Sequence, residues 1–143
     1  MRIAFDTNLL VAALVNPSGA SASIVERWRR GELIFVASRA TLREAEQVLG
    51  GGWVARVASG GARAQLVRDL FENTEQVDAP RIASLPPLKD AGDRRLVEAA
   101  VAGNAAYLVT SDREVLLRRG HDSVEFITPD QLISLLKKRR SGS

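Results

Sequence analysis

The chain has no cysteine, one histidine and one methionine. Without thiols it can form no disulfide, no zinc–thiolate centre and no cysteine nucleophile. The lone His121 lies outside every acidic motif, which argues against a metal-free histidine acid–base mechanism. Long hydrophobic runs are missing too. The first apolar segment is broken by Asp6 and Asn8, so nothing at the N-terminus reads as a basic leader followed by a long apolar stretch. The expectation is a soluble, cytoplasmic protein with no membrane segment.

What is present fits one globular domain. At 143 residues, 45% hydrophobic and 26% charged, the chain has enough apolar surface for a core that is stable alone. The formal net charge is +3, but Lys137, Lys138, Arg139 and Arg140 carry four positive charges at the C-terminal end. Taking those four from 20 basic residues leaves 16 against 17 acidic ones, so the body is close to neutral. Residues 1–138 read as the domain and 139–143 as a basic, flexible tail. Such a tail either grips nucleic-acid phosphates or is a solvated, frayed end.

Strand and helix signals alternate. Arg2 to Phe5 reads as a strand, followed by a helical turn through Leu9, Val11 and Leu14 and a loop at Asn16-Pro17-Ser18-Gly19. Ala20 to Arg30 is helical, with Ile24 and Trp28 four apart and Gly31 placed to end it. Leu33 to Val36 is a second strand, and Ser38 is positioned to cap a helix ending at Leu49, before Gly50-Gly51-Gly52. Further on come a helix from Ala62 to Phe71, a weak strand near Thr74 to Val77, and a loop marked by Pro80, Pro86 and Pro87. Asp93 to Ala102 is helical, Ala106 to Val109 is the clearest strand, Arg113 to Arg118 is a short helix, and Val124 to Ile127 is the last strand. Thr128-Pro129-Asp130-Gln131 is a capping box with proline at the first helical position. This order predicts an α/β fold, a three-layer α/β/α sandwich around a mainly parallel twisted sheet.

On that fold four carboxylates distant in sequence gather in space. Asp6 and Asp112 each follow a short apolar strand, at the sheet edge where open α/β proteins do chemistry. Asp93 opens its helix and projects toward the same edge; Asp90, one turn earlier in the preceding loop, is a supporting carboxylate. For the helix before Gly50, Leu42, Ala45, Val48 and Leu49 define the apolar face, and Glu44 and Glu46 flank it about equally. Periodicity does not choose between them.

The segments IAFDTNLLVAAL, SRATLREAEQVL and KDAGDRRLVEAAVAGNAAYLVTSDREVL, in this order and spacing, resemble the PIN-domain family. The nearest branch is the small prokaryotic PIN proteins assigned as toxins of toxin–antitoxin pairs, VapC-type ribonucleases. The likeness runs from Met1 to about Leu136. It implies that Asp6, Glu44, Asp93 and Asp112 are the catalytic, metal-binding acids, which selects Glu44 over Glu46. It implies that Asn8 and Thr110 support them by hydrogen bonding. Two positions depart from the pattern: Ala12 stands where a serine is common, and Glu114 where a second aspartate often follows. Both bear on a second metal ion and not on the first.

Clustered carboxylates raise one another's pKa unless a cation neutralises them, and an oxygen-only donor set points to Mg²⁺ or Mn²⁺. The resemblance implies hydrolysis of single-stranded RNA to a 3′-hydroxyl and a 5′-phosphate, a cognate antitoxin partner and a homodimer. Taken singly, an aspartate after a strand or at a helix start is more often a cap than a ligand; four in matching order favour a metal site. A response-regulator receiver would need a lysine after a late strand, and Lys89, Lys137 and Lys138 are not so placed. A haloacid-dehalogenase-type phosphatase would need an aspartate where Asn8 stands. The larger structure-specific DNA nucleases need elements this chain has no room for. The alternative is a PIN scaffold that binds RNA or a protein without turnover. Trp28 and Trp53 read as core or interface packing, with the Trp28 helix and the Gly50 to Gly61 stretch as contact surfaces, and Arg94 and Arg95 as solvent-facing.

Overall fold

The computed structural model describes residues 1–141. Gly142 and Ser143, and the side chains of Arg140 and Ser141, lie outside the described residues. The elements run β1 (Arg2–Phe5), α1 (Thr7–Val15), α2 (Ala20–Arg29), β2 (Ile34–Ala37), α3 (Arg39–Leu49), α4 (Val54–Val57), α5 (Gly60–Asn73), β3 (Glu75–Gln76), α6 (Ala91–Ala102), β4 (Tyr107–Val109), α7 (Arg113–Leu117), β5 (Gly120–His121), β6 (Val124–Ile127) and α8 (Pro129–Ser141). The sheet order is β3-β2-β1-β4-β6-β5. All pairings are parallel except that of β5 with β6.

Strand alternation builds the layers. Ile3, Phe5, Phe35, Ala37, Val109 and Ile127 face one core, which α1, α2, α3, α5 and α8 complete with residues such as Leu10, Ile24, Leu42, Leu70 and Leu132. Ala4, Val36, Leu108, Val124 and Phe126 face the opposite way, onto Leu96 and Val97 of α6 and Val115 of α7. Successive side chains of a strand point to opposite faces, so these short strands are buried on both sides, as a parallel sheet requires. The three-layer α/β/α arrangement is therefore present. No single helix among the described residues is long and apolar enough to cross a membrane.

Trp28 stacks on Phe35 at 4.6 Å between ring centroids and 10° between planes, and Phe35 meets Phe5 at 4.5 Å. Such pairs contribute about 0.5–1.5 kcal/mol each beyond their buried area. The Trp28 indole N–H donates to the Asn73 carbonyl at 3.3 Å. Trp28 is thus a core residue and offers nothing to a partner, whereas Trp53 is 55% exposed.

Several elements differ from the sequence reading. The stretch after Gly52 holds the short α4, and α5 starts at Gly60, where the Ser59 hydroxyl accepts from the Ala62 N–H at 3.1 Å. β5 is a two-residue edge strand entered from Arg119 at φ 65° and left through Asp122 at φ 52°. α6 begins at Ala91, so Asp93 lies inside its first turn instead of opening the helix; the cap is Asp90. At the other end, α8 extends through Lys137, Lys138 and Arg139 to Ser141, so the start of the basic run is helical.

Candidate functional site

β1 sits between β2 and β4, and strand order reverses there because β2 lies on one side and the later β4 on the other. Ligand sites of open α/β sheets occur at the carboxyl ends of the strands flanking such a reversal. Asp6 follows the last residue of β1, and Thr110 and Asp112 follow the end of β4.

Asp6 is 6% exposed and uses both oxygens. Oδ1 accepts from the Leu9 N–H at 3.0 Å, capping α1, and Oδ2 accepts from the Thr110 hydroxyl at 2.6 Å. The Thr110 oxygen in turn accepts from the Asp112 N–H at 3.0 Å. Asp112 caps α7 through Oδ1, which accepts from Glu114 and Val115 at 2.9 and 3.3 Å. Asp90 caps α6, its Oδ1 accepting from the Gly92 N–H at 2.7 Å. The capping role and the placement at the site therefore coexist in the same aspartates, and the positive ends of three helices face the acids they carry.

Asp93, 9% exposed, faces Asp112 within hydrogen-bonding reach, and Asp90 and Asp6 lie close enough to act on it by charge. Burial, then the charge of Asp112, the shared hydrogen bond, and Asp90 and Asp6 push its carboxyl up to about 7. Asp6 is raised as well, chiefly by burial, with the bonds from Thr110, Leu9 and Ser111 pulling the other way. Removing buried carboxylates from water disfavours their charged form, and like charges add to the effect.

Glu44 is exposed on α3, and its two carboxylate oxygens each lie 3.6 Å from where a Cβ on Gly92 would stand. The Asp90 Oδ1 lies 3.0 Å from that same point. The missing side chain of Gly92 leaves open the space between Glu44 and Asp90. Glu46 instead lines a groove with Gly60, Arg63 and Val67 of the α5 region, away from the aspartates. Geometry thus separates the two glutamates that periodicity could not.

Not every expected contact is present. Asn8 is exposed in the first turn of α1, and no hydrogen bond joins its side chain to the acids. Arg94 is not solvent-facing: its guanidinium donates to the carbonyls of Leu85 and Ile82 and pairs with the buried Glu98 at 3.5 Å. That Glu98, which no sequence motif singles out, also accepts from the Ile82 N–H at 2.7 Å. Among the described residues no three acidic or histidine side chains converge closely enough to grip a cation as they stand. The donor set nevertheless fits a hard divalent ion. It is all oxygen, it leaves room at Gly92, and Mg²⁺ needs only one or two protein carboxylates because it keeps most of its water.

Residues 2–114 match the PIN domain family. No match is found among curated proteins. Among solved structures, the crystal structure of VapBC2 from Rickettsia felis bound to a DNA fragment from their promoter is similar with a TM-score of 0.57 at 15% identity, covering 90% of this chain and 98% of that one. At that identity the likeness is one of fold. Because the family match spans well over half the chain and takes in β1, α3, α6 and β4 together with the acids they carry, the protein belongs to the PIN-domain family.

Proposed function

We propose that this protein is a metal-dependent endoribonuclease that hydrolyses phosphodiester bonds of single-stranded RNA, and that it is the toxin of a toxin–antitoxin pair. The observation that carries the reading is the approach of Asp93 to Asp112 near the ends of β1 and β4, with Asp6 and Asp90 close enough to act on Asp93 by charge and its carboxyl pushed up to about 7. Such a cluster accumulates unfavourable charge that a cation relieves.

In this reading Asp6, Glu44, Asp93 and Asp112 hold Mg²⁺ or Mn²⁺. When bound, the ion supplies Lewis-acid polarisation of the phosphodiester, a more acidic attacking water and charge neutralisation at the leaving oxygen. Thr110 fixes the orientation of Asp6. Asp93 holds a proton in the free protein only below about pH 7 and would have to give it up to serve as a ligand, since carboxylate ligands must be ionised. Gly92 leaves Glu44 free to approach from α3.

A cognate antitoxin, a homodimer and a cytoplasmic setting complete the proposal. The VapBC2 neighbour, a complex bound to promoter DNA, supports the antitoxin; the RNA substrate rests on the family resemblance. The catalytic domain is taken as residues 1–138, with 139–143 as a basic extension that adds salt-dependent attraction for RNA.

The test is cleavage of labelled single-stranded RNA by purified protein in Mg²⁺, Mn²⁺ or EDTA, alongside an Asp6→Asn/Asp93→Asn double variant. Cutting that vanishes in EDTA and in the variant supports the nuclease. RNA retention without cutting favours a non-catalytic PIN scaffold, and failure to take up either metal by calorimetry overturns the four-carboxylate site.

A further inference from the structure

The connection of residues 77–90 delivers Asp90 to the site, and α7 grips its last turn at two points. The Glu114 Oε1 accepts from the Lys89 N–H at 2.9 Å. One helical turn further, the Arg118 guanidinium donates to the Pro87 carbonyl at 2.8 Å. Residues four apart lie on one face of a helix, so α7 presents a single two-pronged face to Pro87 and Lys89. Glu114 is also joined at its own backbone to Asp112, whose Oδ1 accepts from the Glu114 N–H. The next residue after Lys89 is Asp90, the cap of α6, and Asp93 lies one turn on. One side chain therefore spans from the Asp112 end of the site to the Asp90 end.

A glutamate two residues after Asp112 invites the reading of an additional metal ligand. The geometry points elsewhere: its Oε1 accepts from a backbone amide of the entering loop. We infer that Glu114 is a positioning residue, a latch that sets the first turn of α6 against Asp112 and so fixes the spacing of the acids. The inference deepens the proposed metal site and rests on it only for its metal-binding readout.

The two roles predict opposite rankings of substitutions. A latch needs an acceptor at the length of Glu114, which glutamine keeps and aspartate is too short to supply. A ligand needs a carboxylate, which aspartate keeps and glutamine lacks. Purified wild type, Glu114→Gln, Glu114→Asp and Glu114→Ala are compared by Mn²⁺ calorimetry and by hydrogen exchange at the Lys89 amide. The latch predicts that E114A and E114D weaken Mn²⁺ binding by about 10-fold, the usual scale for residues that orient ligands, and speed Lys89 exchange by ~10-fold or more. E114Q stays within about 3-fold of wild type in both, because a neutral acceptor preserves the bond. Arg118→Met, which deletes the other prong and leaves Glu114 intact, moves both readouts in the direction of E114A.

An E114D that binds Mn²⁺ as well as wild type while E114Q binds like E114A overturns the inference in favour of a ligand. Unchanged Lys89 exchange in E114A also overturns it. If wild type takes up no Mn²⁺, the nuclease reading fails while Lys89 exchange decides the latch by itself.

Discussion

Thr110 and Asp6 are 104 residues apart in sequence and 2.6 Å apart in space, hydroxyl to carboxylate. The same hydroxyl oxygen accepts from the Asp112 backbone, so one atom joins the end of β1 to the turn after β4. Thr110→Val keeps the shape and deletes both bonds, leaving a buried carboxylate oxygen and an amide short of partners. Such a loss costs roughly 1–3 kcal/mol and lowers metal affinity about 10–100-fold, whereas Thr110→Ser retains most of both. Urea unfolding and Mn²⁺ calorimetry check this, and a valine variant indistinguishable from wild type would remove the hydroxyl from the account.

Asp6 caps α1 and is proposed to hold the metal, and two substitutions separate these tasks. Asn and Asp are nearly equal as caps, so Asp6→Asn melts close to wild type yet cleaves RNA at least ~100-fold more slowly for want of a charged oxygen. Asp6→Ala loses the cap as well and unfolds more easily by about 0.5–2 kcal/mol. Equal melting temperatures for the two variants would deny the cap any energetic weight.

Asp93 holds its proton in the folded chain up to about pH 7, against an ordinary value of 3.8. Between these limits the folded state binds the extra proton, so stability is highest below pH 3.8 as far as this group is concerned and declines as pH rises to about 7. Asn imitates the protonated carboxyl. Without metal, Asp93→Asn therefore melts clearly above wild type at pH 8 and level with it near pH 4. Saturating Mn²⁺ raises the wild type at pH 8 and leaves the variant where it was. A variant that is less stable than wild type at pH 8 without metal would reverse the sign argued here.

Gly103 marks the closest approach of α6 to the sheet. A Cβ there would stand 2.8 Å from the Val36 Cβ and 2.9 Å from its Cγ2, and the Gly103 carbonyl accepts from the Arg2 guanidinium at 2.7 Å. Gly103→Ala should cost roughly 1–3 kcal/mol by overpacking, with no direct effect on metal affinity once folded. Thermal melts and calorimetry at 15 °C test the split.

The acids at strand ends were legible because a parallel strand announces itself as a short apolar run, and the residue that follows it is fixed at the sheet edge. Asp6 and Asp112 needed no tertiary information to be placed there. Glu44 did: it reaches the site because α3 lies beside Gly92 of α6, an approach between residues 48 positions apart. The glycines around Ser59 obscured the start of α5, although the serine itself was the usable signal. Asp93 was placed at a helix start that belongs to Asp90, because Asp90 is equally competent as a cap and sequence does not rank two aspartates one turn apart. The roles of Arg94, Glu98 and Glu114 could not be read at all, since each bonds backbone of an irregular loop whose path carries no periodicity.

The place of β1 between β2 and β4 also orders events in time. Asp112 is synthesised more than a hundred residues after Asp6, yet the two depend on strands that pair side by side. A growing chain therefore has no assembled cluster until β4 has emerged and docked, and non-local parallel pairing of this kind is slow to form. The delay is carried in the topology: the proposed site cannot form before the chain has grown past residue 112.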